Sequence, residues 1–331
     1  MQKIYNWGIL GPGKIAHKFA SALQFLPNAR VYAVGSRDYK RAEEFGKLYN
    51  AEKFYGSYKE LAEDSQVDII YIATPHSQHY ENALYCLNNG KNVLCEKAFT
   101  SNAKQLEQLI HVARGKKIFL MEAIWTRFLP SIEKLLELLK SGVIGDVRML
   151  HADFGFLPPY DINGRLLNPY LSGGSLLDIG IYPLFLSLLL LGEPKEFKAL
   201  AHIGDTGVDE SLAVSLLYNN GAMAVLSSTF NVITTTRADI FGTKGSIGLE
   251  PKWYSQSQLK LLLNGGNYQE IPLEYHSNGF IYEAREVMQC IDSGLTESSK
   301  LKLDFSLKLM KLMDAIRTQI GLTFPAEIER F

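Results

Sequence analysis

The stretch that decides the fold is Tyr5-Asn6-Trp7-Gly8-Ile9-Leu10-Gly11-Pro12-Gly13-Lys14-Ile15-Ala16. Its apolar first half predicts a buried strand, and apolar residues recur with helical spacing after Gly13, so the order is strand, glycine turn and helix. In a nucleotide site the first glycine permits the turn, the second lets the backbone approach a pyrophosphate, and a small third residue, here Ala16, allows close packing. Phosphate would bind the free N–H groups at the helix start. We therefore predict a cofactor site that includes Gly11, Gly13, Lys14 and Ile15.

The size and charge of the chain limit what it can be. At 331 residues and 37.1 kDa it exceeds one typical domain, so two domains are expected. A hydrophobic content of 47% with 21% charged residues is typical of a soluble globular protein. The formal net charge of -1 gives no electrostatic support for binding nucleic acid or an acidic membrane. We expect a small-molecule ligand that local groups recognise.

The cysteines and the apolar segments bear on where the protein works. Cys86, Cys95 and Cys290 lack metal-ligand spacing and cannot all pair, which is typical of free thiols in a reducing compartment. No apolar leader with preceding basic residues stands before Tyr5. The most apolar run, Ile179 to Leu191, contains polar residues and a proline and is too short to span a bilayer. We expect a cytoplasmic protein with no membrane partner.

The end of the second predicted strand, Arg30 to Val34, favours one form of the dinucleotide. Gly35-Ser36-Arg37-Asp38 follows this strand, about where an acidic residue would bind the ribose of NAD. Ser36 can hydrogen-bond a 2′-phosphate and Arg37 can neutralise it, whereas a carboxylate would repel it. The pattern therefore favours NADP over NAD. Two alternatives stay open: Arg37 begins the next helix in solvent with Asp38 as its N-cap, or Asp38 itself reaches the ribose.

A further buried strand, Val67 to Ile72, leads into the polar loop Ala73-Thr74-Pro75-His76-Ser77-Gln78-His79. Its two histidines lack a convincing third ligand nearby, so no metal site is predicted. We expect the loop to fold over the nicotinamide half of the cofactor, with the histidines as local hydrogen-bonding groups. The predicted cofactor contacts of this loop are Thr74, Pro75, His76 and His79.

The next strand carries the candidate catalytic lysine. Asn92-Val93-Leu94-Cys95-Glu96-Lys97-Ala98-Phe99 is an apolar strand that ends in a charged pair. Glu96 and Lys97 lie at the carboxyl end of the strand, and in open α/β sheets ligands bind along that edge. Partial desolvation lowers the pKa of a lysine side chain and lets it donate or accept a proton. Taken alone, the pair is better explained as two ordinary surface residues.

The boundary between the two predicted domains lies near Glu122. Trp125 and Arg127 follow it directly. An indole offers a flat apolar face and a guanidinium offers a fixed fork of donors, and both suit a ligand cleft. Packing between the domains accounts for both residues equally well.

The second predicted domain adds polar and aromatic candidates. A helix is predicted to open in Gly173-Gly174-Ser175-Leu176-Leu177-Asp178-Ile179-Gly180-Ile181-Tyr182-Pro183, where Asp178 and Tyr182 are four apart and so share a face. Ser175 and Asp178 before an apolar run are also typical of a capping box, which explains Asp178 but not Tyr182. Phe154, on the predicted strand Val147 to Phe156, shares a side with Phe156 by strand alternation.

Short predicted strands follow one another from Phe197 to Leu263, and this pattern indicates an antiparallel sheet. In Ala222-Met223-Ala224-Val225-Leu226 both faces of the strand are apolar or small. Helices can cover one face, and we predict that a second subunit covers the other in an isologous homodimer. Two helices, Phe280 to Asp292 and Leu303 to Thr318, close the domain.

Four motifs in this order carry a resemblance to a known family: Gly11-x-Gly13-x-x-Ala16, Thr74-Pro75, Cys95-Glu96-Lys97 and Asp178-x-x-x-Tyr182. Together with the β-rich second half they resemble the glucose-fructose oxidoreductase, inositol dehydrogenase and rhizopine-catabolism family over nearly the whole chain. The segment 121–128 and Ser36-Arg37 look most like the branch of dimeric dihydrodiol dehydrogenases and NADP-dependent aldose (xylose) dehydrogenases.

The resemblance implies an α/β protein with an N-terminal Rossmann domain, residues 1–122, and a C-terminal α/β domain, residues 123–331, with a large, mostly antiparallel open sheet. It also implies hydride transfer between a nicotinamide and a secondary alcohol or hemiacetal carbon. The substrate would be a sugar, a polyol or a cyclic vicinal diol. One departure concerns Ala98, because the family has proline there, often after a cis bond. We expect a trans bond, since a cis bond to another residue costs about 2.5 to 4 kcal/mol.

In the expected reaction Lys97 and Tyr182 face the substrate hydroxyl and handle its proton. Asp178 would orient the substrate or hold Lys97. The apolar wall of the substrate site would comprise Trp125, Phe154, Trp253 and Phe280. The alternative is a regulatory protein of the same fold that binds NADP without using it, although such a protein has no need of an acid/base lysine and tyrosine.

Overall fold

The computed structural model describes residues 3–330 and contains the following helices and strands. The helices are α1 (Lys14–Leu23), α2 (Tyr39–Leu48), α3 (Tyr58–Glu63), α4 (His79–Asn88), α5 (Ala103–Lys116), α6 (Pro130–Lys140), α7 (Ile181–Leu191), α8 (Phe280–Asp292), α9 (Leu303–Ile320) and α10 (Ala326–Glu329). The strands are β1 (Tyr5–Leu10), β2 (Ala29–Gly35), β3 (Lys53–Tyr55), β4 (Ile69–Ile72), β5 (Asn92–Glu96), β6 (Leu120–Ala123), β7 (Val147–Gly155), β8 (Glu196–Ile203), β9 (Asp209–Leu217), β10 (Met223–Thr229), β11 (Ala238–Gly242), β12 (Gly245–Leu249), β13 (Leu259–Leu263) and β14 (Gln269–Ile271). A π-helical turn, Leu176–Gly180, runs directly into α7.

These residues form two compact units. The first contains residues 3–128 together with His276–Met310, and the second contains Leu129–Tyr275 and Lys311–Arg330. The division into functional domains 1–122 and 123–331 stays a prediction. The sequence did not predict one feature. Residues 276–310 follow the antiparallel sheet in the chain, yet they belong to the unit that holds the glycine turn.

The first unit is built on a six-stranded parallel sheet with the order β3-β2-β1-β4-β5-β6. The strand order reverses between β1 and β4, and ligands of open α/β sheets bind outside the carboxyl ends of the strands at such a point. Strand β4 is buried at every position, as expected for a parallel sheet with both faces covered. Helix α1 packs on the sheet through Phe19, whose ring stacks on that of Tyr71 at 3.9 Å between centroids.

The second unit is built on an eight-stranded sheet with the order β14-β13-β12-β11-β7-β10-β9-β8. Neighbouring strands are antiparallel except for β7 and β10, which run parallel. Helix α7 and the π-helical turn pack against β7, β9 and β10. Their almost wholly buried, apolar sequence explains why this helix lies on the sheet.

The two faces of this sheet differ in exposure. In β10, Ala224 and Leu226 are buried, whereas Met223 is 38% and Val225 is 45% exposed. Leu200 on β8 is 81% exposed. We predicted that both faces of this strand are covered. Within one chain, only the face that carries Ala224 and Leu226 is covered. The opposite face presents apolar side chains to solvent.

One helical stretch among residues 3–330, Pro169–Leu191, is long and apolar enough to cross a membrane by length and composition. Of its most apolar window, 83% is buried inside the protein. The sequence prediction considered only Ile179 to Leu191, and the helical turns before it lengthen the stretch. Its burial makes it a core helix of the second unit.

Candidate functional site

The glycine turn has the geometry that a close turn requires. Gly11 has φ +92°, and a Cβ on it would lie 3.1 Å from Thr74 Cγ2 and 3.2 Å from the carbonyl oxygen of Ala73. A larger residue would therefore be strained in conformation and would crowd the loop after β4. Ala16, the third position of the pattern, is fully buried where α1 meets the sheet.

The start of α1 fits the pyrophosphate of a dinucleotide. Gly13 is the N-cap residue, no side chain caps the helix, and the first turn carries no acidic residue. A Cβ on Gly13 would meet only the Ala73 carbonyl oxygen, at 3.9 Å. Uncapped N–H groups at the positive end of the helix dipole, with open space before them, suit an anion.

The hydrogen bonds after β2 show which role Asp38 has in the structure. Its Oδ1 accepts hydrogen bonds from the backbone N–H groups of Lys40 at 3.0 Å and Arg41 at 3.4 Å, so Asp38 is the N-cap of α2, as one alternative held. Ser36 is buried and its hydroxyl accepts the N–H of Asp38 at 3.2 Å. Arg37 is exposed. The guanidinium is therefore accessible to a 2′-phosphate, while the carboxylate is engaged with the helix.

The loop after β4 is tied to the segment after β5 by His79. Its Nδ1 lies 2.8 Å from the carbonyl oxygen of Ala98 and its Nε2 lies 2.8 Å from that of Thr74. Burial lowers the pKa of His79 to about 4, so the neutral ring donates its single N–H to one of these oxygens. His79 is thus a local hydrogen-bonding group. His76 is also buried, with its ring centroid 5.7 Å from that of His79.

Glu96 and Lys97 end β5 in a partly buried position. The Tyr71 hydroxyl donates a short hydrogen bond to Glu96 Oε1, and the backbone N–H of Lys97 donates to Glu96 Oε2 at 3.3 Å. Behind this pair lies Glu283 of α8, which is fully buried. Burial, reinforced by the charge of Glu96, raises the pKa of Glu283 well above its ordinary value.

The expectation of a trans bond between Lys97 and Ala98 is wrong, because the bond is cis. The groups that flank it are held by buried partners. The Ala98 carbonyl oxygen faces His79, and the N–H of Phe99 donates to Glu122 Oε1 at 3.0 Å. Burial raises the pKa of Glu122 to about 7.

Trp125 and Arg127 have clear local partners in the first unit. The indole of Trp125 stacks on the ring of Phe280 at 4.6 Å between centroids with an interplanar angle of 7°. Arg127 is buried and its Nε donates to the carbonyl oxygen of Lys300 at 2.9 Å. Trp125 and Phe280, predicted as parts of one apolar wall, are thus in contact, whereas Arg127 secures the segment before α9.

The second unit places Asp178 and Tyr182 in different surroundings. Arg165 Nη1 donates to Asp178 Oδ1 at 2.7 Å, and the Asp178 side chain is buried while that of Arg165 is half exposed. The Tyr182 ring lies 5.5 Å from Phe154 and 5.4 Å from Tyr254 between centroids. Phe154 and Tyr254 stack at 4.0 Å. An aromatic cluster therefore surrounds the Tyr182 ring.

Trp253 does not join this cluster. It is fully buried, and its Nε1 donates to the backbone oxygen of Asp153 at 2.9 Å. Its place in the apolar wall of the substrate site stays a prediction. The neighbouring Tyr254, which the sequence does not single out, belongs to the cluster. Both residues follow β12 in irregular chain, where strand alternation no longer indicates direction.

The capping-box interpretation of Ser175 and Asp178 is also wrong. Ser175 makes no capping hydrogen bond, and its hydroxyl donates instead to Asp209 Oδ2 at 2.8 Å. The same carboxylate oxygen accepts the N–H of Leu176 at 2.7 Å. Asp209, on β9, thus accepts a backbone N–H at the start of this helix. Asp209 lies more than 30 residues from Ser175 and Leu176 in the sequence, so no local pattern could have identified it.

Residues 3–330 contain no group of three or more His, Cys, Asp or Glu side chains that could hold a metal ion. The glycine turn and the start of α1 have the geometry to hold an anion such as a pyrophosphate.

Two family models match the chain. Residues 5–123 match an oxidoreductase family with an NAD-binding Rossmann fold, and residues 132–248 match the GFO/IDH/MocA C-terminal domain.

Curated relatives include trans-1,2-dihydrobenzene-1,2-diol dehydrogenases. The protein of that name from Xenopus tropicalis is 39% identical, with 97% of this chain and 99% of the relative aligned. The human protein of that name is 36% identical, with 97% and 98% aligned.

Similar solved structures include two enzymes. One is KijD10, a 3-ketoreductase from Actinomadura kijaniata in complex with NADP and TDP-benzene, with a TM-score of 0.87, 28% identity, and 96% of this chain and 98% of the other covered. The other is an aldose-aldose oxidoreductase from Caulobacter crescentus complexed with glycerol, with a TM-score of 0.89, 26% identity and the same coverage.

Proposed function

Because the chain belongs to the glucose-fructose oxidoreductase, inositol dehydrogenase and rhizopine-catabolism family of NAD(P)-dependent oxidoreductases, we propose that it oxidises a cyclic trans-vicinal diol with NADP. Aldoses are the second substrate class. The observation that carries the proposal is the identity of 36 to 39% over nearly the full chain with enzymes named for a cyclic diol substrate. The aldose-aldose oxidoreductase supports the second class.

The aromatic side chains support a ring-shaped substrate. In the second unit Phe154, Tyr182 and Tyr254 form one cluster, and in the first unit Trp125 and Phe280 stack on each other. Flat apolar faces of this kind contact the C–H face of a cyclic diol or of a sugar ring. Trp253, which the sequence also predicts for this wall, is fully buried, as Phe280 is.

The proposed chemistry uses a few side chains of this protein. NADP supplies the hydride acceptor when it is bound. Lys97 and Tyr182 are the two candidates to take the proton of the substrate hydroxyl, since each is a titratable group of suitable type. Asp178, held by Arg165 at 2.7 Å, accepts a hydrogen bond from the second hydroxyl and orients the diol. Positioning of this kind makes the reaction effectively unimolecular.

The proposed cofactor contacts follow the chain in order: Gly11, Gly13, Lys14 and Ile15 for the pyrophosphate, Ser36 and Arg37 for the 2′-phosphate, and Thr74, Pro75, His76, His79, Glu96, Lys97, Trp125 and Arg127 for the nicotinamide half. The uncapped start of α1 and the exposed Arg37 support this assignment. KijD10, crystallised with NADP, supports the choice of NADP over NAD.

We also propose that the protein is a cytoplasmic homodimer with no nucleic-acid or membrane partner. The exposed apolar side chains on one face of the eight-stranded sheet support a second subunit on that face. The buried free cysteines Cys86, Cys95 and Cys290 support a reducing compartment.

The function is tested by following absorbance at 340 nm while NADP or NAD is mixed with cyclic trans-diols, aldoses and inositols. We expect the highest kcat/KM for a cyclic trans-diol with NADP. Tight NADP binding without turnover of any of these alcohols would contradict the proposal and favour a regulatory protein.

A further inference from the structure

The helix that carries Asp178 and Tyr182 begins in an unusual way. Residues Leu176–Gly180 form a π-helical turn, and α7 continues from it without a break. The first turn of a helix leaves N–H groups unpaired, and a side chain just before the helix normally accepts one of them. Here Ser175 does not do so.

Asp209 supplies this acceptor from another element. It is the first residue of β9 and is fully buried. Its Oδ2 accepts the Leu176 N–H at 2.7 Å and the Ser175 hydroxyl at 2.8 Å. Ser175 in turn lies 2.9 Å, oxygen to oxygen, from the Ser228 hydroxyl of β10. The Asp209 carboxyl therefore joins the helix start to β9, and the Ser175 hydroxyl joins it to β10.

The backbone is shaped to admit this carboxyl. Gly174 has φ +116°, and a Cβ on it would lie 2.2 Å from Asp209 Oδ1. A Cβ on Gly180 would lie 2.9 Å from Ser228 Oγ. Gly174 therefore has to be glycine for Asp209 to lie so close, and a side chain on Gly180 would displace the Ser228 hydroxyl.

We propose that Asp209 is a positioning residue for the proposed reaction: by holding the first turn of the helix to the sheet, it sets where the Tyr182 hydroxyl stands. This inference rests on the proposed role of Tyr182. The distance along the chain is short, because Tyr182 lies two residues after the π-helical turn. Its ring packs against the stacked rings of Phe154 and Tyr254. A shift of about 1 Å in a reacting group can cost on the order of a hundredfold in rate.

The test compares Asp209→Ala with Asp209→Asn. The alanine variant removes the acceptor, and we expect kcat to fall at least about twentyfold with NADPH affinity unchanged. The asparagine variant keeps one acceptor oxygen, and we expect it to retain kcat within about fivefold. Leu188→Ala, a cavity variant at the far end of α7, is the matched control; it should lower the melting temperature and leave kcat within about threefold.

A second variant and a second readout keep the inference testable if Asp209→Ala does not fold. Ser175→Ala leaves the carboxyl in place and should lower kcat several-fold. In protein labelled at tyrosine, the NMR signal of Tyr182, assigned with Tyr182→Phe, should shift in the Ser175 and Asp209 variants and not in Leu188→Ala. This readout needs no turnover, so it stands even if the proposed reaction fails. An unmoved Tyr182 signal, or full kcat in Asp209→Ala, would overturn the inference.

Discussion

Replacing Glu283 with glutamine should stabilise the protein, and the gain should grow with pH. Both carboxyl oxygens of Glu283 are buried without a hydrogen-bond partner among residues 3–330. Burial and the charge of Glu96 raise the pKa of Glu283 well above the ordinary value of 4.5. Between pH 4.5 and this raised pKa, the folded protein holds a proton on Glu283 that the unfolded chain releases.

The size of the effect follows from this difference. Above pH 4.5 the folded state binds more protons than the unfolded state, so the free energy of unfolding falls as pH rises. Each pH unit between 4.5 and the raised pKa of the folded group costs at most about 1.4 kcal/mol. Glutamine has the same shape and does not titrate. Glu283→Gln should therefore be more stable than wild type at pH 7, by a margin that shrinks as the pH falls toward 4.5.

The assay is thermal unfolding of the protein without cofactor, measured from pH 5 to pH 8. Glu286→Gln, on the same helix, is the control, because the Glu286 carboxylate accepts the Ser298 hydroxyl at 2.6 Å and lies 3.6 Å from Lys300 Nζ. This control should be neutral or destabilising. A Glu283→Gln protein that is no more stable than wild type at pH 7, or whose gain does not change with pH, would refute the reasoning.

Two further outcomes concern the cofactor and the assembly. Arg37→Ala should raise KM for NADP about tenfold and leave KM for NAD unchanged, because a charged hydrogen bond contributes about 1.5 to 3 kcal/mol. The control Arg30→Ala, at the other end of β2, should change neither value. An unchanged KM for NADP in Arg37→Ala would contradict the assignment. Light scattering should show a dimer for the wild type and a monomer of 37.1 kDa for Leu200→Glu. The control Leu48→Glu, at another exposed leucine, should stay dimeric. A monomeric wild type would rule out the dimer.

The sequence predicted much of the fold because its local patterns are strong. The α/β class, the Rossmann unit and the largely antiparallel second sheet are confirmed, and so is the family. The helix Phe280 to Asp292 was predicted at its observed bounds. The short strands β3 and β14, of three residues each, were missed because three residues are too few to show alternation.

What the sequence could not predict depends on contacts between distant residues. The return of residues 276–310 to the first unit, the support of the helix start by Asp209 and the burial of Glu283 behind Glu96 leave no periodic signal. The cis bond at Ala98 belongs to the same class, because His79 and Glu122, which hold its flanking groups, come from other elements. The site assignments for Lys97, Asp178 and Tyr182 stay predictions.

The central claim, that Lys97 and Tyr182 together handle the substrate proton, is tested most directly at Lys97 by Lys97→Met. Methionine keeps the length of the side chain and removes the amine. We predict that NADPH affinity, measured by fluorescence, stays within about twofold, while kcat falls at least about a hundredfold, the usual contribution of a positioned acid or base. Lys104→Met, an exposed lysine on α5, should leave both values unchanged. Turnover of Lys97→Met within about threefold of wild type would contradict the claim.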